Sequence, residues 1–461
     1  MRPSKQLYVT DLSDTWKGIY SPFGHHMAFV SNETWENLKK GHYHLVNDAI
    51  IRYLVESNIL VEEGFEERWL RSKLRPPEVR LNAMYLVITQ KCNFACRYCV
   101  VQENINDTLR CQDRMSPYIA SLAVDLFERH LRRIQPRDAR VTFYGGEPML
   151  NQEVIFHVVP KIKAIHYPNQ TATVEIVMIT NGYLYNPEIT ELFKKYGVGV
   201  CVSIDGKKHH HDMARITKGS GGKGTFDRVI ENYKKYYATG LSMGISCALG
   251  RHNAFDIPEI AEFFAKDLKG RFVEFQTPYQ VSDEGNPLWV STSEIAERLM
   301  EAYEVLRSYG IVEGTTYRRL RDFMRGRIHY TDCGAPGSQL TIAPDGMLGP
   351  CHSLVGSRTF YAGNVADPNC DPVELDNFQE WSGRFPLNMP ICQGCPFITI
   401  CGGGCPYNAY VSAGSIWAKD PQVCGYMEEM IEWILRHLWK KTGMAGKHGI
   451  KMREKRPQVL T

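Results

Sequence analysis

The chain has 461 residues, of which 43% are hydrophobic and 23% charged, and its formal net charge is +3. Such values are ordinary for a globular protein of two to four domains, and the near balance of charge argues against nucleic acid as a partner. No apolar signal segment follows Met1, and no apolar run is long enough to cross a membrane. We therefore expect a cytoplasmic protein without a membrane partner.

The fourteen cysteines are many for that compartment, where disulfides are rare. They favour the binding of metals or clusters over cross-linking. Ten of them fall into clustered spacings, and the other four are Cys111, Cys201, Cys247 and Cys370. Cys201 and Cys247 lie inside apolar strands, and we expect them to be buried thiols of the core.

Residues 1–79 predict a small separate domain. Short apolar runs predict strands, and Ser31 is a suitable N-cap for a first helix. The strands are expected at Leu7–Thr10, His26–Val30 and Ile59–Val61, and a second helix at Leu45–Glu56. The charged segment from Glu62 to Pro77 predicts a linker to the next domain.

Residues 80–320 alternate between apolar strands and amphipathic helices, which predicts an α/β domain with a parallel sheet. The six strands are expected at Met84–Gln90, Arg140–Gly145, Thr173–Thr180, Val198–Asp205, Leu241–Leu249 and Arg271–Pro278. The helices are expected at Pro117–Ile134, Gln152–Ala164, Pro187–Tyr196, Phe226–Ala238, Ile257–Ala265 and Thr292–Tyr309. In such folds the ligand lies at the carboxyl ends of the strands.

Three cysteines follow the first of these strands in the pattern CxxxCxxC: Cys92, Cys96 and Cys99. Three thiolates bind three irons of a [4Fe–4S] cluster and leave the fourth open. This motif resembles that of the radical S-adenosylmethionine (SAM) family, in which SAM chelates the open iron. A zinc knuckle is the alternative, but it needs a fourth ligand, and only Cys111 is close in sequence.

The resemblance implies a partial (β/α)₆ barrel with SAM contacts at the strand ends. Gly145-Gly146-Glu147 matches the family's motif for the amino group of SAM, and glycines allow close approach of the backbone. Asn181 ends the third strand, and Ser203 matches the position that usually contacts the ribose. Arg215 is expected to pair with the methionine carboxylate.

Two further motifs in this domain have ordinary interpretations. The run His209-His210-His211 invites a metal site but is more often a solvated surface segment. Gly222-Lys223-Gly224-Thr225-Phe226 opens a helix as a phosphate-binding turn would, yet it lacks the spacing of known phosphate motifs.

Residues 321–461 are rich in cysteine, glycine and proline. Seven cysteines match the SPASM pattern that carries two auxiliary [4Fe–4S] clusters in relatives of the radical SAM family. Thr341–Gly346 predicts a hairpin between the first two of them. A zinc ribbon is the alternative, although seven cysteines exceed the needs of one zinc site.

By this resemblance, a distal cluster is held by Cys392, Cys395, Cys401 and Cys424, and a proximal cluster by Cys333, Cys351 and Cys405. The proximal cluster then lacks a fourth ligand. Cys370 could substitute, but we favour an open iron. Relatives that oxidise sulfatases carry an aspartate after the second cysteine, whereas this chain has His352, a tentative base or cluster neighbour.

The order of elements in residues 1–79 resembles the winged-helix domain that binds leader peptides in peptide-modifying members of the family. The resemblance therefore implies three [4Fe–4S] clusters, SAM, a ribosomally made precursor peptide, and an electron donor such as flavodoxin or ferredoxin. The expected product is a thioether crosslink between a cysteine sulfur and a carbon. Carbon–carbon crosslinking, sulfatase-type oxidation and a non-catalytic Fe–S electron carrier remain alternatives.

Overall fold

A computed structural model of the protein describes residues 1–103, 113–219, 221–277 and 288–441; Cys111 and Pro278 lie outside them. The N-terminal domain consists of short strands and helices. They are β1 (Arg2–Pro3), β2 (Tyr8–Ser13), β3 (Trp16–Ser21), β4 (His26–Ser31), α1 (Asn32–Lys39), α2 (Asp48–Glu56), β5 (Leu60–Val61) and α3 (Phe65–Lys73).

Three elements of this domain were not expected: β1, β3 and α3. Strand β1 pairs antiparallel with β5. Strand β3 lies between β2 and β4 in an antiparallel sheet, and it is buried along most of its length. Helix α3 occupies the segment predicted to be a linker, so that prediction is wrong. Acidic residues in the first turn of α3 and basic residues in its last turn complement the helix dipole. Ser31 caps α1 as predicted, because its side chain accepts the N–H of Thr34 at 3.1 Å.

The second domain alternates strands and helices as predicted, with each predicted strand found within two residues at its ends. The strands are β6 (Ala83–Thr89), β7 (Arg140–Gly145), β8 (Glu175–Thr180), β9 (Gly199–Ser203), β10 (Met243–Ala248) and β11 (Phe272–Gln276). The helices are α4 (Val100–Glu103), α5 (Pro117–Ile134), α6 (Gln152–Lys163), α7 (Pro187–Tyr196), α8 (Lys208–Ala214), α9 (Phe226–Ala238), α10 (Ile257–Phe263) and α11 (Thr292–Ser308). Strands β6 to β11 pair in chain order and in parallel, which confirms the predicted α/β fold.

The chain from residue 312 onward, which includes the last residues predicted for the second domain, extends the same sheet at both edges. Its elements are β12 (Val312–Glu313), α12 (Gly314–Met324), β13 (Gln339–Ile342), β14 (Met347–Gly349), β15 (Ala362–Asn364), α13 (Asp376–Ser382), α14 (Pro406–Ala413) and α15 (Pro421–Lys441). Strand β12 pairs with β11, and β13 pairs in parallel with β6 at the opposite edge. The predicted hairpin is formed by β13 and β14, and Gly346 in its turn has a φ of +87°.

The N-terminal domain shares a hydrophobic core with the rest of the chain. The ring centroids of Trp16 and Trp439 on α15 are 5.2 Å apart, and the Tyr8 hydroxyl donates to Glu432 of the same helix at 2.9 Å. His25 is buried, and its Nε2 lies 2.8 Å from the carbonyl of Arg327. The domain is therefore an integral part of the fold. Among the described residues, no helix has the length and hydrophobicity needed to span a membrane.

Candidate active site

The loop that carries CxxxCxxC begins where β6 ends and is held against the end of β7. The backbone N–H of Gly146 donates to the carbonyl of Thr89, and that of Glu147 to the carbonyl of Lys91, both at 2.8 Å. A Cβ atom on Gly146 would lie 2.2 Å from the Lys91 oxygen, so only glycine permits this approach. The Gly-Gly-Glu turn therefore positions the cysteine loop.

Cys92, Cys96 and Cys99 lie together in this loop. Burial raises the pKa of Cys92 to about 11 and that of Cys96 to about 12, and the charges of neighbouring thiolates raise both further. The backbone N–H of Phe94 lies 3.4 Å from Sγ of Cys92, and hydrogen bonds to sulfur of this kind tune cluster ligands. These thiols are half-buried, and their negative thiolate forms would repel one another. Such a group suits a cationic iron centre, because the metal displaces the thiol protons when it binds.

Glu147 is fully buried behind the loop and makes three hydrogen bonds within the protein. Its Oε1 accepts the N–H of Met149 at 2.9 Å and the hydroxyl of Thr180 at 2.8 Å, and its Oε2 accepts the N–H of Asn181 at 2.7 Å. Burial raises the pKa of this carboxyl, against the effect of these donors. The carboxylate therefore joins the ends of β7 and β8, and its predicted contact with SAM depends on the remaining lone pair of Oε2.

Asn181 and Ser203 lie at the ends of β8 and β9. The Asn181 amide donates to Oδ1 of Asn93 at 2.8 Å and lies 3.8 Å from Sγ of Cys92, so it contacts the cysteine loop directly. Ser203 is half-buried and pairs with Ser246 of β10. Both residues are at the carboxyl edge of the sheet, as the strand pattern predicts, and their roles toward SAM stay predictions.

Arg215 ends α8 and forms a buried ion pair beside the cysteine loop. Its Nε lies 3.0 Å from Oδ2 of Asp205, and its guanidinium lies 5.4 Å from the ring centroid of Tyr98. The Tyr98 hydroxyl donates to the same carboxylate oxygen at 2.5 Å. Burial disfavours the charge of Asp205, but Arg215 together with His252 and His211 outweighs the effect of burial and holds the pKa of Asp205 well below its ordinary range. Asp205 thus already neutralises much of the charge that was predicted to pair with the methionine carboxylate.

The four cysteines of the predicted distal set lie near one another: Cys392, Cys395, Cys401 and Cys424. Burial raises the pKa of Cys401 well above its ordinary range, and the charges of the other three raise it further. Backbone N–H groups of Phe397 and Gly403 lie 3.4 and 3.3 Å from the sulfurs of Cys395 and Cys401. The set therefore has the convergence and the N–H donors of a cluster site.

The three cysteines of the predicted proximal set also lie together. Burial raises the pKa of Cys405 well above its ordinary range, and Cys333, Asp420 and Cys351 raise it further. Cys333 has an exposed side chain, yet burial among protein atoms raises its pKa to about 12, which is typical of a side chain on the wall of a recess. Asp420 accepts the backbone N–H of Cys405 at 2.8 Å and so fixes this end of the set.

Cys370 is separate from these sets. It is half-buried in the turn after β15, where a Cβ atom on Gly363 would lie 2.7 Å from its sulfur. Burial raises its pKa, and the nearby charges that raise it further are those of Asp367 and Asp371 rather than thiolates. Its position therefore gives no support to its use as the fourth ligand of the proximal cluster.

The spacing of the sulfurs favours clusters over single zinc ions. Among the described residues, the one group of three His, Cys, Asp or Glu side chains whose ligand atoms lie within 4.8 Å of one another contains no cysteine. A tetrahedral zinc would draw its sulfurs closer than this, since each Zn–S bond is about 2.3 Å. The zinc knuckle and the zinc ribbon therefore lose support.

His352 lies between two tyrosines of the barrel. Its ring is stacked on Tyr85 of β6, with centroids 4.5 Å apart, and meets Tyr144 of β7 edge-on at 4.6 Å. Burial lowers the pKa of His352 to about 4, so the imidazole is neutral at physiological pH. Burial raises the pKa of Tyr144, and the charges of Cys99 and Cys351 add to this, so the ring lies near both the cysteine loop and the proximal set.

The histidine run and the glycine-rich turn of the barrel are both held by contacts within the protein. His209, His210 and His211 belong to α8, and His210 and His211 are buried rather than solvated. The glycine-rich turn gives no phosphate site, because the carboxylate of Asp212 accepts the N–H groups of Thr225 and Phe226 at 2.7 and 2.8 Å. The start of α9 is therefore already capped by an acid.

Sequence reasoning assigned no role to Asp205, Tyr85 or Tyr144. Asp205 follows Ser203 in the motif that ends β9, and its acid side chain within an apolar run was a usable signal. The tyrosines interrupt otherwise aliphatic strands, but only the fold reveals that they enclose His352.

The sequence profile of the Radical SAM superfamily matches residues 86–264. The radical SAM cyclopropyl synthase TigE of Paramaledivibacter caminithermalis is 25% identical over 379 residues, which are 77% of this chain and 74% of TigE. Among solved structures, native anSMEcpe with bound AdoMet has a TM-score of 0.63 at 17% identity, covering 79% of this chain and 99% of that one.

SuiB of Streptococcus suis is similar over more of the chain. Its structure bound to S-adenosylmethionine has a TM-score of 0.53 at 14% identity, covering 92% of this chain and 100% of SuiB. Its structure bound to the precursor peptide SuiA has a TM-score of 0.50 at 15% identity, covering 92% and 99%. The similarity to these structures is one of fold.

Proposed function

Residues 86–264 of this chain are a radical SAM domain, and from this premise we propose that the protein is a peptide maturase that forms thioether crosslinks in a ribosomally made precursor. Such a domain requires a [4Fe–4S] cluster and SAM, which together supply a 5′-deoxyadenosyl radical able to remove an unactivated hydrogen atom. The observation that carries the proposal is the grouping of ten cysteines into three sets, of which the proximal set has three thiols where a complete cluster would use four.

In this proposal the strand ends hold SAM. Gly145 and Gly146 hold the cysteine loop close to the strand end, Asn181 fixes that loop, and Ser203 at the end of the next strand would contact the ribose. Arg215 is paired with Asp205, so it offers the methionine carboxylate a cation that is already oriented. Pre-oriented groups reduce the entropy lost on binding, which supports positioning as the main task of these residues.

The thioether product follows from the proximal set. Cys333, Cys351 and Cys405 would hold three irons of a cluster, and a cysteine of the substrate would be the remaining ligand, since thiolate is the ligand that such irons prefer. The position of Cys370 away from these residues supports this choice. The distal set, with four cysteines, would be complete and serve electron transfer.

His352 is better suited to packing than to proton transfer in this scheme. A base with a pKa of about 4 accepts protons poorly at neutral pH. Its stacking on Tyr85 and its contact with Tyr144 instead form an aromatic wall between the cysteine loop and the proximal set. Such a wall would exclude water from a carbon radical.

The N-terminal domain is proposed to bind the leader part of the precursor. Support comes from its order of strands and helices, and from SuiB, which matches 92% of this chain and has been solved with its precursor peptide. An electron donor such as flavodoxin or ferredoxin would reduce the clusters. A non-catalytic electron carrier is disfavoured, because it has no use for SAM contacts.

The similarity to TigE favours a second candidate, carbon–carbon bond formation as in a cyclopropyl synthase. Both reactions remove two hydrogen atoms from the peptide, but only thioether formation consumes a cysteine thiol. The test is to incubate the reduced, cluster-loaded protein with SAM and the cysteine-rich precursor encoded nearest its gene. 5′-Deoxyadenosine and loss of one iodoacetamide-reactive thiol support the thioether. Loss of hydrogen with all thiols still reactive would establish the second candidate.

A further inference from the structure

A second group of metal-binding side chains lies away from the cysteines, where α8 meets the start of α10. His209, His210 and Asp256 each offer one ligand atom, and these atoms lie within 4.8 Å of one another. Nε2 of His210 is 3.0 Å from Oδ2 of Asp256, and the two imidazole centroids are 3.8 Å apart. Ligands of a tetrahedral zinc are separated by about 3.3 Å, given bonds of about 2.0 Å, so small side-chain shifts would suffice.

The exposure of these residues suits a metal ion that keeps one coordination position open to solvent. The side chain of His210 is only 3% exposed, and its Nε2 is the ring nitrogen that faces Asp256. The side chain of Asp256 is 51% exposed, and His209 is exposed as well. One ligand is therefore fixed by packing, while the other two face solvent and can adjust.

The lysines around these three residues would not strongly repel a cation bound between them. Nζ of Lys207 is 3.2 Å from Glu259, and Lys208 forms ion pairs with Asp212 and Asp227. Their positive charges are thereby largely neutralised by acids of the same surface. The guanidinium of Arg298 is also engaged, since its Nε donates to the carbonyl of Phe255 at 3.2 Å.

We propose that His209, His210 and Asp256 form a binding site for a divalent transition metal, and specifically for zinc. Two imidazoles and one carboxylate are a donor set that zinc accepts, with water in the remaining position. The ion would join α8 to the start of α10. Because α8 also carries His211 and ends at Arg215, the ion would fix the helix that presents Arg215 to Asp205.

The test uses full-length, untagged protein with its clusters loaded, so that cysteines are occupied and no affinity tag binds metal. Zinc is added, free metal is removed, and zinc and iron are counted. We expect about one zinc per chain at unchanged iron content, and a zinc-edge X-ray absorption spectrum with nitrogen and oxygen ligands at about 2.0–2.1 Å. Zinc should also raise the melting temperature.

The variants are His209→Ala and Asp256→Asn, which alter exposed ligands and leave the buried His210 in place. Each should weaken zinc binding by more than about tenfold without changing iron content. His44→Ala removes an exposed histidine of the N-terminal domain and should bind zinc as the unaltered protein does. Sulfur ligands at about 2.3 Å, or equal zinc binding by all three variants, would overturn the proposal.

Discussion

Arg215 and Asp205 form an ion pair that is buried at the carboxyl edge of the barrel, with Nε and Oδ2 3.0 Å apart. The pair joins the end of α8 to the loop after β9, and Tyr98 of the cysteine loop donates to the same carboxylate. One oxygen atom thus connects the cysteine loop to two residues that lie more than 100 positions further along the chain. The stability of this edge and the proposed SAM site would thus depend on the same side chains.

Arg215→Gln should therefore destabilise the fold, because it leaves the charge of Asp205 buried without a partner. Removing one member of a buried pair costs about 3–5 kcal/mol. The double variant Arg215→Gln, Asp205→Asn should recover much of the stability but not SAM cleavage. Unfolding in denaturant and 5′-deoxyadenosine production measure the two effects. Lys194→Gln, which breaks an exposed pair with Glu191, is the control and should change neither.

Iron content tests the cysteine sets. We expect about twelve irons per chain from three clusters, and about eight when Cys92, Cys96 and Cys99 are all replaced by alanine. That variant should lose SAM cleavage entirely. Cys201→Ala, in strand β9, and Cys370→Ala should keep all irons. SAM cleavage by the triple variant would refute the assignment of the cysteine loop.

Gly146→Ala should displace the cysteine loop without unfolding the barrel. Its new Cβ would lie 2.2 Å from the carbonyl oxygen of Lys91, a backbone atom that cannot move aside alone. We expect loss of SAM cleavage and of part of the iron. Gly199→Ala, in β9 of the same sheet, is the matched control, because its Cβ would meet atoms only at 3.7 Å or beyond. Equal activity of the two variants would contradict the proposed packing.

Trp16→Ala should destabilise the whole chain, although Trp16 belongs to the N-terminal domain. The indole packs against Trp439 of α15, and truncating a buried tryptophan costs about 3–5 kcal/mol. Deletion of residues 1–79 should likewise expose the apolar face of α15 and lower solubility. Point variants are therefore a better test of leader binding than this deletion. Tyr118→Ala, at a 69% exposed residue, serves as the control. An unchanged melting temperature for Trp16→Ala would show that the domain is only tethered.

His25 should make stability depend on pH. Burial lowers its pKa from 6.5 to about 4 in the folded protein. Between these values the unfolded chain binds the proton and the folded chain does not, so stability is complete above about pH 6.5 and decreases as the pH falls toward 4. His25 has a φ of +58°, which asparagine tolerates, so His25→Asn removes the proton site with little strain. Melting temperatures across this range should vary less for the variant; equal slopes would contradict the assignment.

Local signals explain which elements could be predicted. Helix α5 was predicted to the residue because Ser116 accepts the N–H of Ile119 and Pro117 occupies the first turn. Strand β3 was missed because it contains Gly18 and is buried on most positions, so it shows no alternation. The CxxxCxxC motif could be recognised for the same local reason, since Cys92, Cys96 and Cys99 lie within one loop, whereas Cys333, Cys351 and Cys405 come from separate segments.

Other features depend on contacts between distant residues and have no local signature. The carboxylate of Glu147 is tied to Thr180 and Asn181, and His352 is enclosed by Tyr85 and Tyr144. Neither arrangement can be read from a sequence window, because the partners come from other strands. The packing of the N-terminal domain on α15, more than 400 residues away, is of the same kind.

The pairing of β13 with β6 ties the cysteine loop to the C-terminal cysteines through the sheet. The strand that leads into the cysteine loop is bonded in register, Gln339 with Ala83 through Ile342 with Leu86, to the hairpin between Cys333 and Cys351. These two parts of the chain therefore cannot move apart without breaking sheet hydrogen bonds. The position of the cysteine loop relative to Cys333 and Cys351 is thus set by continuous backbone pairing rather than by an interface that can open and close.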